Sequence, residues 1–308
     1  MTYALVLASP AIAAPLIGPD QLLAAFLAGR SPHTLAAYRR DLEDFRGFVG
    51  AETVEAAARM LVGSAHGQAN GLALAYRAHM VERGLQAATV NRRLAALRSL
   101  VKVANVLGFV PWMLAVESVK AQPYRDTRGP GLPIYRLMLA AAAAQHPAKA
   151  ARDVALLRLL HDMGLRRGEV VGLDLADVDM AGARLMILGK ARSQREPVTI
   201  PTPTAAALAA WVSLRGNAPG PLFASFDRSG KGSGRLTGDA VWRIVGALGE
   251  AAGAKVHPHG LRHLAITSAL DATDGNVRKV QRFSRHRDMR VLAVYDDNRT
   301  DMGGKVGY

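Results

Sequence analysis

Cysteine is absent from the 308 residues. That excludes disulfides and thiolate metal sites, and it is compatible with a reducing cytoplasm. Negative charge is scarce beside positive: 25 acidic side chains face 39 basic ones, for a formal charge of +14. A chain this basic usually meets a polyanion, because neutralising phosphates releases counterions. Lysine is also scarce. Of the basic residues 8 are Lys and 31 are Arg, and Arg suits bidentate contact with phosphate. A G+C-rich genome would bias the codons the same way, and the abundant Ala and Gly fit that bias too.

Long apolar runs are missing as well. Met1–Gly18 is apolar, but it is broken by Pro10 and Pro15 and lacks the basic start of a secretory signal. No later stretch reaches the ~18 uninterrupted apolar residues of a membrane span. The expectation is a soluble protein with no membrane partner.

What is present is mostly helical patterning, in a length that suits two domains. Ser31 and Pro32 read as N-cap and first-turn proline of a helix. Its apolar stripe is Leu35, Tyr38, Leu42, Phe45 and Val49. A second helix is expected over Leu72–Arg83, stopped by Gly84. A third is expected over Ala88–Leu107, stopped by Gly108, with the stripe Val90, Leu94, Leu97, Val101 and Ala104. Asn91, Arg98 and Lys102 share a face beside that stripe. They read equally well as a solvated face or as groups entering a DNA groove.

Met113–Pro133 reads as a linker, because the periodicity stops among Pro123, Gly129, Pro130, Gly131 and Pro133. The expected organisation is an extension over 1–19, a helical domain over 20–114, a linker over 115–133 and a second domain over 134–308. One segment of that second domain breaks the helical pattern. Arg184–Leu188 and Pro197–Ile200 are β-like runs flanking polar residues, which suggests a hairpin with Lys190, Arg192 and Arg195 near its tip. Helices are expected to return over Thr204–Leu214, Gly238–Ala252, Gly260–Leu270, Gly275–Ser284 and Asp288–Asp296, with a loop over Ser225–Gly234. The fold class is therefore mainly α with a small antiparallel sheet in the C-terminal domain.

Phosphodiester cleavage without a metal needs fixed cations at the non-bridging oxygens, an in-line nucleophile and a proton donor for the leaving oxygen. The second domain offers these residue types in order: Arg166 in GLRRGE, Lys190 in the hairpin, His259 and Arg262 in HGLRH, His286 in RH, and Tyr295 nine residues later. His259 and Arg262 are three apart and share a helix face. Arg167 competes with Arg166. Lys190 competes with Arg192 and Arg195, and Tyr124, Tyr135 and Tyr308 are rival nucleophiles outside any motif. His257, His259 and His263 read as a zinc cluster would lack cysteine and an obvious carboxylate, so no metal is expected. His263 is expected to pack or hydrogen-bond within its helix.

With GLRRGEVVGL, LGK, HGLRH and RH followed nine residues later by Tyr, the chain resembles the tyrosine recombinase (phage integrase) family. SPHTLAAYRRDLEDFRGFV and ATVNRRLAALRSLVKVA resemble that family's N-terminal core-binding domain, so the likeness covers nearly the whole chain. It implies a two-domain clamp on double-stranded DNA, in the simple Xer-like or mobile-element subclass. Arg166 and Arg262 would grip the scissile phosphate. His259 and His286 would donate to it or move protons, Lys190 would be the general acid, and Tyr295 would form the 3′-phosphotyrosyl link. Glu169 would support the site. The resemblance implies no cofactor, neither ATP nor an essential metal. As partners it implies an inverted-repeat DNA site and further subunits, a dimer on each site and a tetramer in synapse, or a related recombinase. Two departures stand out: Arg285 occupies the place where the family often has Gly before the His, and only 13 residues follow Tyr295. The rival functions are a DNA-binding protein of this fold without catalysis and a type IB topoisomerase.

Overall fold

The computed structural model describes residues 21–30, 32–120, 129–189, 194–226, 234–286, 288–293 and 295. The extension over 1–19, the Ser31 cap, Lys190, Arg192 and the tail after Tyr295 lie outside the described residues. The chain divides into two compact units, 1–123 and 124–308.

The first unit holds α1 (Leu22–Leu27), α2 (Pro32–Val49), α3 (Val54–Gly63), α4 (His66–Glu82) and α5 (Ala87–Val106). The stripe expected on α5 is buried throughout, from Val90 to Ala104, and meets Leu42 and Phe45 of α2 and Tyr76 of α4. Each such side chain contributes roughly 1.5–3 kcal/mol on burial. Charge then fixes α2 against its neighbours. Asp44 of α2 accepts from the Tyr76 hydroxyl at 2.7 Å and from Arg93 of α5 at 2.6 Å.

The second unit begins with α6 (Leu132–Ala143), α7 (Pro147–His161) and the short α8 (Arg167–Val171). An antiparallel sheet follows: β1 (Val178–Asp179), β2 (Arg184–Leu188) and β3 (Arg195–Thr199), in that order. The expected hairpin is present, with Leu188 opposite Arg195 closing its loop. Its second strand starts two residues earlier than the apolar run suggests, because the pairing extends through the polar Arg195 and Glu196. Leu185 and Ile187 alternate inward to the core, as a one-sided sheet requires. Pro197 sits on β3, an edge strand of the described sheet, where a missing N–H is tolerated.

Next come α9 (Thr202–Arg215), α10 (Gly238–Ala251), α11 (Pro258–Asp271), α12 (Val277–Ser284) and α13 (Arg290–Ala293). The main core gathers Met138, Leu156, Leu160, Trp211, Val241 and Leu261 from α6, α7, α9, α10 and α11. A smaller cluster of Ile266, Leu270, Val280, Leu292 and Tyr295 joins α11 and α12 to the end of the described chain. The helix α11 lies between the two clusters and is buried from Gly260 to Thr267, with Arg262 and His263 among the buried residues.

Candidate active site

The turn between α7 and α8 is the scaffold. Gly164 has φ +54°, and a Cβ there would stand 3.1 Å from the Phe283 ring. Glycine is therefore favoured twice, by the left-handed backbone and by the tight approach of the ring. The turn delivers Arg166 to the N-cap of α8. Glu169, one turn later, accepts the Arg166 backbone N–H at 2.9 Å and its Nη1 at 2.7 Å. That contact caps the helix and aims the guanidinium together.

The opposite wall is the first turn of α11. His257 caps it, its Nδ1 accepting the Gly260 N–H at 2.9 Å. His259 is exposed, whereas Arg262 is 1 % exposed. Arg262 donates to the carbonyls of Gly164 and Ser284, and its Nη2 lies 3.5 Å from His286 Nε2. A guanidinium has five N–H groups, so these contacts leave donors for a ligand. His286 is oriented from behind, with Nδ1 2.8 Å from the Ser284 hydroxyl.

Arg166, Arg167, Trp242, His257, His259 and Arg262 line one cleft of 360 Å³. Arg167 points toward Asp239, at 3.7 Å, whereas Arg166 is the arginine bound to the buried carboxylate. Tyr295 stands beside the histidines. Its ring is 5.0 Å from His263 and 6.3 Å from His286, and His263 lies 4.2 Å from His259. His263 thus links the exposed histidine to the tyrosine, a place that its position in the motif did not reveal. Tyr295 itself is 6 % exposed, with its ring in the smaller cluster.

Ionisation follows from the crowding of cations. Burial, and then Arg166, lower the Arg262 pKa to about 10, so it stays charged at neutral pH. Burial alone would raise the Glu169 pKa, but Arg285 and Arg166 overcome it and hold the carboxyl ionised. Burial, and then Arg262, Arg166, Arg285 and His259, push His286 down to about 4. His286 is therefore neutral at pH 7, a weak base that keeps one ring N–H to donate. Because the folded state disfavours the imidazolium, its contribution to stability is complete above pH 6.5 and is lost as pH falls from there toward 4. In an NMR titration the His286 ring is expected to show its midpoint near 4. A midpoint above 6 would show that neither burial nor the neighbouring cations act on it as described.

The other sequence candidates are placed as follows. Lys190 and Arg192 lie outside the described residues. Arg195 is on β3 and pairs with Asp177 at 2.6 Å, so its charge is already met. In the first unit the Asn91 amide clasps the Val119 backbone, donating at 2.9 Å and accepting at 2.7 Å. Arg98 donates to the Ser118 hydroxyl at 3.0 Å, while Lys102 is exposed. Asn91 and Arg98 thus hold the chain that follows α5. Trp242, Ser284 and Arg285 were not marked as site residues by sequence. Trp242 looks like one more apolar residue on α10, yet it is 54 % exposed at the cleft.

Comparisons with known proteins agree on what this arrangement resembles. Residues 134–302 match the family model described as the phage integrase family, and residues 24–105 match the phage integrase N-terminal SAM-like domain. A protein of Synechococcus elongatus named a tyrosine recombinase is 39 % identical over 312 residues, covering 99 % of this chain and 97 % of the relative. Another of Synechocystis is 38 % identical and covers 88 % of each chain. The tyrosine recombinase XerC of Pelobacter propionicus is 32 % identical over 86 % of this chain and 84 % of its own. Among solved structures, the fold is shared with the XerH recombinase bound to a palindromic difH substrate. That match has a TM-score of 0.68 and 16 % identity, and covers 94 % of this chain and 84 % of that one. The Tn1549 transposon integrase in complex with transposon right-end DNA gives a TM-score of 0.67 at 16 % identity, with 94 % and 99 % covered.

Proposed function

This chain belongs to the phage integrase family of tyrosine recombinases, and from that membership we propose that Tyr295 is the nucleophile that breaks and rejoins a DNA strand. The enzyme is a site-specific recombinase. The observation that carries the residue assignment is the cleft in which Arg166 and Arg262 converge with His259, while His286 and Tyr295 adjoin it.

The Tyr295 oxygen attacks the scissile phosphorus and loses its proton to a neighbouring imidazole. Charge building on the two non-bridging oxygens meets Arg166 and Arg262, fixed in place before reaction, which is the largest source of rate in such a step. The bond to the 5′ oxygen breaks, and Lys190 supplies that oxygen's proton. One phosphoester replaces another, so the energy of the bond is kept and no ATP is needed. A 5′-hydroxyl from a second strand reverses the sequence and joins new partners through a Holliday junction. The DNA partner is double-stranded with inverted repeats, bound by a dimer per site and a tetramer in synapse. The work belongs in the cytoplasm at the nucleoid. No helix among the described residues is long and apolar enough to cross a membrane.

Incubating the protein with its recombination site, nicked close to the cleavage point so that the freed end diffuses away, is expected to trap a covalent protein–DNA adduct. Binding without any adduct would instead favour a regulator that has lost catalysis. Relaxation of any supercoiled plasmid by the monomer would favour a topoisomerase.

A further inference from the structure

Arg285 ends α12 in the left-handed region, at φ +57° and ψ +37°. Glycine adopts that conformation freely, whereas a side chain there costs ~1–2 kcal/mol. Its backbone N–H still closes the helix, donating to Gln281 at 2.8 Å. The guanidinium folds inward and is 6 % exposed. Nη2 donates to Glu169 Oε2 and to the Gly164 carbonyl, each at 3.2 Å, and Nη1 donates to the Phe283 carbonyl at 3.0 Å. Glu169 Oε2 is the same oxygen that accepts the Arg166 N–H, and Gly164 is the same carbonyl that receives Arg262.

Both phosphate arginines therefore share an acceptor with Arg285, and the next residue along the chain is His286. We propose that Arg285 is a positioning residue that locks the α12 end to the α7–α8 turn, setting Arg166, Arg262 and His286 in one geometry. It touches no reacting atom. A residue at this conformation with this burial is hard to explain as surface decoration. The contacts its head makes help to offset the backbone strain, and they lie on the α7–α8 turn, on Glu169 or on its own cap. The proposal rests on the recombinase reading, because the arginines it positions are that reading's phosphate ligands.

The test compares Arg285→Gly and Arg285→Lys with the wild type on the nicked substrate at saturating DNA. Glycine relieves the backbone and removes the fork; lysine keeps the charge and the stem. The expected result is cleavage slowed about 10- to 100-fold in the glycine variant at a temperature where it is still folded, with DNA affinity nearly unchanged and the melting temperature lowered by a few degrees as the buried contacts are lost. Lysine is expected to recover part of the rate. Wild-type cleavage in the glycine variant overturns the proposal. So does a loss of cleavage that only tracks a loss of folded protein and that lysine does not relieve. Should the glycine variant fail to fold, lysine decides: slow cleavage with normal binding supports the proposal, and wild-type cleavage overturns it. A second readout needs no chemistry. Sulfate binding in the cleft, followed by the fluorescence of Trp242 with Trp242→Phe as blank, is expected to weaken about tenfold in the glycine variant. If the wild type forms no adduct yet binds sulfate, the recombinase reading fails and the sulfate arm still judges Arg285. If it does neither, both fall.

Discussion

Tyr295→Phe is expected to bind the recombination site as the wild type does and to form no covalent adduct, a loss of at least ~10⁴-fold in strand cleavage. The change removes one oxygen and keeps the ring. That ring is what packs with Ile266, Leu270, Val280 and Leu292, so the smaller core cluster survives. Stability is expected to change by no more than about 1 kcal/mol. The rival nucleophile among the described residues is poorly placed. Tyr135 belongs to the main core, and its hydroxyl lies 3.2 Å from the Asp162 carboxylate. Burial, and then that carboxylate, raise its pKa, which disfavours the phenolate. Gel analysis of the denatured adduct is the measurement. A shifted band in the phenylalanine variant would mean that the attacking oxygen is elsewhere.

Arg262→Ala is expected to fail in two ways at once. Arg262 joins α11 to the Gly164 turn and to the α12 end through two backbone carbonyls. Truncation leaves the Ser284 carbonyl buried without that donor, at about 1–3 kcal/mol, leaves the Gly164 carbonyl to Arg285 alone, and leaves a cavity as well. We expect ~3–5 kcal/mol of destabilisation of the second unit, read as a melting point lower by roughly 6–20 °C. At a temperature where the variant is still folded, cleavage should drop about 10²–10³-fold, because one cation aimed at the transition state is gone. Arg262→Lys keeps a charge but cannot reach two carbonyls and a phosphate together, so it should melt low and cleave poorly. If the alanine variant melts within 2 °C or so of the wild type, Arg262 is not the strut described. If it cleaves at the normal rate, it is not a phosphate ligand.

The two variants also separate two kinds of residue. Tyr295 can lose its chemistry without losing its packing, because ring and hydroxyl do different jobs. Arg262 cannot, since one guanidinium serves both the carbonyls and the cleft. His286 falls between. Its imidazole is oriented by Ser284 and kept neutral largely by burial and the arginines, so changes at those neighbours should alter its ionisation before they alter the fold.

Much of this was legible in the order of residues, and the rest for definite reasons was not. Helical periodicity found α2, the second half of α4 and α5, because buried stripes repeat every three or four residues. Alternation found β2. The two-residue β1 and the six-residue α1 carry too few residues for any period to register. The Asn91 face of α5 shows why a polar stripe is ambiguous. An exposed amide and one that clasps Val119 look alike until the following chain is seen lying along the helix. Two of the three side chains on that face, Asn91 and Arg98, are engaged by the chain that follows α5.

The order and spacing of residues, through their resemblance to a family's motifs, pointed to the chemistry: two arginines, a histidine pair and a tyrosine in a fixed order, since a helix turn and a nine-residue interval are local facts. Only the tertiary structure decided which groups hold them. Glu169 is shared by Arg166 and Arg285, and the Gly164 carbonyl by Arg262 and Arg285. These contacts join residues up to 121 positions apart, and no local pattern encodes them. For the same reason Arg285 reads in sequence as a misfit where glycine belongs. Folding turns the misfit into a strut, because the left-handed backbone at the α12 end aims its side chain back under the site.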